Sequence, residues 1–258
     1  ITPGGSVTCT FTNTFAPPPV VLKTVVKNSS GANVTAPVPL WTAVHDTATL
    51  SGGLSPIEGT VTYNLYTNDG CSGDPSTTLG FPQTVDIGPG NSVPDSGSVT
   101  LPAGSYGFKA HYNGVPPNSA VDSACEPFSV EKAPTTTTTE IHQIVDLTHN
   151  VVTSVPLNSV VHDNATVSGK VDDIAITGDV TYNFYTGSAC SGEATWTQTV
   201  SVGSESHATD ALAAGQYRFN ATYTGDGNYL GSTSACESLT VEKAPTTTTT
   251  EIHQIVDL

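Results

Sequence analysis

Residues 212–225 read LAAGQYRFNATYTG, and within them Tyr217, Phe219, Ala221 and Tyr223 alternate with Arg218, Asn220 and Thr222. A period of two sends the first set to one face of an extended chain and the second to the other, which predicts a half-buried β-strand. The same pattern stands earlier as LPAGSYGFKAHYNG at 101–114. The stretch therefore reads both as a strand and as one copy of a repeat.

Working outward, the chain keeps matching itself in order. AVHDTATLSG (43–52) answers VVHDNATVSG (160–169), and GTVTYNLYTNDGCSG (59–73) answers GDVTYNFYTGSACSG (178–192). SACEPFSVEKAP and SACESLTVEKAP close the two copies. The segment EKAPTTTTTEIHQIVDL occurs without a substitution at both 131–147 and 242–258. Two modules are expected, at 20–131 and 132–242. Residues 1–19 read as the last strand of a preceding module or an exchanged strand, and 243–258 as the first strand of a following module or a donor strand. This pattern is what a piece of a longer repeat chain would carry.

Further strands are expected at 137–146, 160–168, 179–186, 195–203, 205–212 and 234–242, separated by Gly, Pro, Asn and Asp clusters. Seven short strands per module predict an all-β sandwich. Composition agrees, with 36% hydrophobic and only 12% charged residues, 24 Gly and 18 Pro in 258 residues. Seven basic against 23 acidic residues, a formal net charge of -16, argue against nucleic acid and against anionic membranes as partners. No apolar run approaches the ~20 residues of a membrane-spanning helix.

The stretch from Leu212 to Ala244, LAAGQYRFNATYTGDGNYLGSTSACESLTVEKA, resembles the closing half of the bacterial immunoglobulin-like repeats strung along large secreted and cell-surface proteins. The resemblance covers about 20–242 and implies two tandem immunoglobulin-like sandwich domains, with extra strands at both chain ends. It also implies a tyrosine corner at Tyr106 and Tyr217, where a phenol ties a strand to the turn before it. The family's inter-sheet disulfide is missing, because no Cys stands two residues after either Tyr.

The five cysteines have another arrangement. Cys71 and Cys190 both precede Ser-Gly, while Cys125 and Cys236 both sit in Ser-Ala-Cys-Glu. Matched contexts pair Cys71 with Cys125 and Cys190 with Cys236, which implies an oxidising compartment outside the cytosol. Without a Cys-x-x-Cys, the thiols do not read as metal ligands. Cys9 is left unpaired and is a candidate for an intermolecular bridge, in a stretch alternating Val7, Cys9 and Phe11 with Thr8, Thr10 and Thr12.

No residues read as catalytic, cofactor-binding or metal-binding. The repeated steps His45-Asp46 and His162-Asp163 lie on strands, so their side chains point to opposite faces. His142, His149, His207 and His253 show no metal spacing and are expected in solvent. Asp172, Asp173 and Asp226 do not visibly assemble the six to eight oxygens of a calcium site. Lys23 and Lys27 are candidate donors for a fold-locking isopeptide bond, but they align with Glu140 and Ile144 in the second module. Asn28, Asn33, Asn164 and Asn220 begin glycosylation sequons.

The expected function is non-catalytic: a structural repeat unit of an extracellular filament, stalk or surface layer. Modules would join head to tail or by strand exchange, with copies of the chain or neighbouring repeats as partners. The alternative is an adhesin binding glycan or protein through its loops. That reading wants clustered exposed aromatics, whereas Trp41 and Trp196 do not occupy matching positions.

Overall fold

A computed structural model describes residues 3–6, 8–10, 16–146 and 148–255. It is all-β, with 43% of residues in strands, several antiparallel sheets and no α-helix among the described residues. The chain divides into two compact units, Ile1–Glu131 and Lys132–Leu258.

In the first unit β1 (Val20–Asn28) pairs antiparallel with β2 (Val44–Gly52) along its whole length. The second sheet follows the order β4 (Gln83–Asp86), β3 (Thr60–Tyr66), β5 (Gly104–Tyr112), with β6 (Val121–Asp122) and β7 (Glu126–Val130) both pairing with β5. Val20, Leu22 and Val26 alternate inward on β1, while Tyr63 and Leu65 of β3 and Phe108 and Tyr112 of β5 are buried on the other sheet.

The second unit repeats the plan. β8 (Thr136–Val145) lies between β11 (Val161–Ser168) and β9 (Thr148–Val151). The larger sheet runs β10 (Ser154–Val155), β16 (Glu237–Val241), β14 (Gly215–Tyr223), β12 (Asp179–Thr186), β13 (Trp196–Ser201), with β15 (Ser232–Thr233) on β14. Alternation does the sorting: Val180, Tyr182 and Phe184 of β12 are buried, and Thr181, Asn183 and Tyr185 are half-buried. Ile141 and Val161 from the first sheet join Phe184, Tyr217, Phe219 and Leu239 from the second in one core cluster. Each such side chain contributes about 1.5–3 kcal/mol when removed from water.

Two expectations are changed by the structure. No strand forms over 205–212. There the Ser206 and Thr209 hydroxyls accept the N–H groups of Asp163 and Val161, at 2.8 and 3.2 Å, where a regular ladder would use backbone carbonyls. The alignment of β1 with β8 also shifts. Lys27 faces His45 across the ladder as His142 faces His162, so Lys27 matches His142 rather than Ile144. At the chain ends, Thr8–Thr10 and residues 243–255 belong to no strand, while Val7, Phe11 and Thr12 lie outside the described residues.

Candidate functional site

The fastenings come first. Cys71, in the loop after β3, is bonded to Cys125 just before β7; Cys190, after β12, is bonded to Cys236 just before β16. Their Cα atoms are 5.7 and 5.8 Å apart. Two disulfides fit an oxidising environment. Cys9 is exposed and its thiol is free. The Tyr106 hydroxyl donates to the Pro102 carbonyl at 3.0 Å, and Tyr217 to Ala213 at 2.9 Å, so each phenol ties its strand to the turn four residues back.

The His-Asp steps divide as strand alternation requires. Asp46 and Asp163 face inward and are fully buried. None of their carboxylate oxygens accepts a hydrogen bond of ordinary geometry. Burial, reinforced by the charge of Glu126 and more weakly by Asp95, pushes Asp46 up from 3.8 to about 8, against the nearby Thr47 and Val25 backbone groups. Asp163 is raised to about 8 in the same way, by burial and then by Glu237. Each unit thus carries a buried aspartate beside a half-buried glutamate. The sequence already holds the signal, since Val44-x-Asp46-x-Ala48 sets Asp46 on the apolar face of β2.

The partner histidines face outward, and here the second unit builds something that spacing along the chain does not reveal. His142 on β8 lies directly across from His162 on β11. His149 on β9 leans over the same face, its ring centroid 4.6 Å from that of His162 and 6.3 Å from that of His142. Glu205, from the irregular segment beside β11, brings one carboxylate oxygen to 3.4 Å from His162 Nδ1 and 3.7 Å from His149 Nδ1. One ligand atom from each of the four residues lies within 4.8 Å of every other. The expectation of solvated histidines is therefore corrected for His142, which is 12% exposed, whereas His149, at 41%, does face solvent. The strand register gathers residues far apart in sequence, and a segment expected to be a strand supplies the carboxylate.

The cluster is half sheltered. His162 is 2% exposed and His142 12%, whereas His149 and Glu205 are 41% and 43% exposed. Both ring nitrogens of His142 and Nε2 of His162 are buried without a hydrogen-bond partner. Burial holds His162 below its ordinary value of 6.5, with Glu205 opposing and His149 and His142 adding to the drop. The first unit has only a remnant: Lys27 occupies the place of His142, and His45 Nε2 lies 3.7 Å from Asp95.

Other candidate positions do different work. Asp226 accepts from the Thr177, Asn228 and Tyr229 backbone amides and from the Thr177 hydroxyl, so its oxygens are engaged in holding their own loop. Burial works to raise Asp226, but those hydrogen bonds win and lower it to about 2. His207 packs at a tilt against Trp196, which in turn stacks on Phe184. Among the sequons, Asn33 is exposed, Asn28 accepts bonds from its own turn, Asn164 is half-buried, and Asn220 accepts from Asn183.

No family model matches the chain, and no curated protein does. Among solved structures, the three N-terminal domains of the bacteriophage RB49 Highly Immunogenic Outer Capsid protein (Hoc) are similar at 12% identity and a TM-score of 0.27. That match covers 87% of this chain and 71% of that one.

Proposed function

We propose that the chain is a non-catalytic structural repeat unit of an extracellular filament, stalk or surface layer. Its two units are read as immunoglobulin-like β-sandwich domains over 20–131 and 132–242, joined head to tail, with other copies or neighbouring repeats as partners. The carrying observation is one sequence in two states. Residues 136–145 form β8, with Ile141 2% exposed, while the identical stretch at 247–256 lies outside any strand as far as it is described, with Ile252 101% exposed.

An extended segment with an apolar face and unpaired backbone groups seeks a sheet edge. A sequence already suited to the β8 position would fit that position in another copy, or would open a following repeat. Matching disulfides and tyrosine ties in both units support a load-bearing, secreted role. The adhesin reading is less supported, because Trp196 is stacked on Phe184 and packed against His207 rather than displayed in an exposed aromatic cluster.

Negative-stain imaging of the secreted protein, with mass measurement of the unreduced product, tests the proposal. Fibres or ordered layers are expected. Dispersed short rods under every condition would overturn it. Covalent multiples that collapse on reduction would identify Cys9 as a link between copies.

A further inference from the structure

We propose that His142, His149, His162 and Glu205 form a binding site for a divalent late-transition-metal ion of the zinc type, which fastens the β8–β9 hairpin to β11 and to the segment carrying Glu205.

Burial supplies the first argument. A polar nitrogen removed from water without a partner is costly, and buried polar atoms are almost always satisfied. Here three imidazole nitrogens, two on His142 and one on His162, are buried and unpartnered within one cluster. His162 is 2% exposed and its ring faces the other two. An ion bound among them would take the lone pair of one nitrogen on each ring, leaving the other ring nitrogen of each as an N–H donor.

Ligand chemistry supplies the second. Three imidazoles and one carboxylate form a mixed nitrogen and oxygen set suited to zinc, copper or nickel, and poor for calcium or magnesium, which prefer all-oxygen shells. Donor atoms in a tetrahedral zinc site stand about 3.3 Å apart. Those of the cluster lie within 4.8 Å of one another, so small side-chain rotations close the site. Four protein ligands leave no open position, which is the pattern of a structural rather than a catalytic ion.

Comparison of the two units is the third. Both set a histidine on the outer face of the long strand that pairs with the unit's first strand, at His45 and His162. Only the second unit adds His142 in place of a lysine, and His149 from β9. A lysine at Lys27 would repel a cation, so the first unit serves as an internal reference without a site. The inference is independent of assembly, because all four residues lie within Lys132–Leu258.

The test uses the full chain, stripped with chelator and titrated with zinc chloride by calorimetry and with cobalt chloride by visible absorption. Saturable uptake of one zinc ion per chain is expected, with the strong visible bands of four-coordinate cobalt and no heat from calcium chloride. His149→Ala and Glu205→Gln change half-exposed side chains, so the fold should survive, as circular dichroism would verify. His149→Ala should weaken zinc binding by roughly 100-fold or more, since even partners outside the ligand shell cost 10–100-fold. His253→Ala, in the exposed tail, should leave binding unchanged. Absence of saturable uptake, equal affinity in His149→Ala and the parent, loss of binding in His253→Ala, or a preference for calcium would each overturn the site. So would a cluster that responds to acid but never to zinc.

Discussion

At the scale of single residues, Asp46 is the most consequential side chain in the first unit. It is fully buried beside Glu126, and its carboxyl titrates near 8 rather than 3.8. Between those values the folded chain holds a proton that the unfolded chain has released. Stability from this group is therefore complete below about pH 4, falls as pH rises, and is lost above about pH 8. Asp46→Asn removes the charge and keeps the shape. It should stabilise the first unit at pH 8 by roughly 5 kcal/mol, since each pH unit between 3.8 and about 8 costs about 1.4 kcal/mol, and change little at pH 4. Hydrogen exchange of the β2 amides measures this unit separately from the second, where Asp163 retains its own pH dependence. An unchanged pH slope in the variant would exclude Asp46 as the source.

At the scale of elements, alternation along β12 and β14 was legible in the sequence because burial on a sheet follows a strict period of two. The segment 205–212 does not alternate: its buried residues, Ser206, Thr209 and Leu212, stand three apart, Ser206 and Thr209 take the β11 amides with their side chains, and no strand forms. Propensity cannot reveal such a substitution, since it depends on which hydroxyl meets which N–H. The disulfides act at this scale by joining the loop after one strand to the start of another. Cys190 and Cys236 close 46 residues of chain, which stabilises by about 4 kcal/mol through the lost entropy of the unfolded state. Replacing both with serine should lower the unfolding free energy by about that amount, read from the urea midpoint. A loss near zero would show that the loop is ordered by other contacts.

At the scale of the whole molecule, the proposed assembly turns on the repeated segment. If 246–258 docks where β8 docks, its deletion should abolish higher assemblies while leaving both units folded and zinc uptake intact. Light scattering of the truncated chain checks the first outcome, and calorimetry with zinc chloride the second. Assembly that persists without the segment would transfer the role to another surface. Burial of Ile252 in the joined state would contribute about 1.5–3 kcal/mol, too little alone, so backbone pairing along the strand must supply the rest.

The sequence by itself determined the all-β class, the repetition and the inward-facing residues, because these follow from local periodicity and from comparison of the chain with itself. Tertiary structure alone decided where His142, His149, His162 and Glu205 meet, since that depends on register across β8, β9 and β11 and on the path of an irregular segment. It also decided that TTTTEIHQIV is a strand at 136–145, while 247–255 of its twin is not. Both copies have the same intrinsic preferences. A strand gains its hydrogen bonds and its burial from neighbours, and among the described residues the first copy has β11 and β9 beside it.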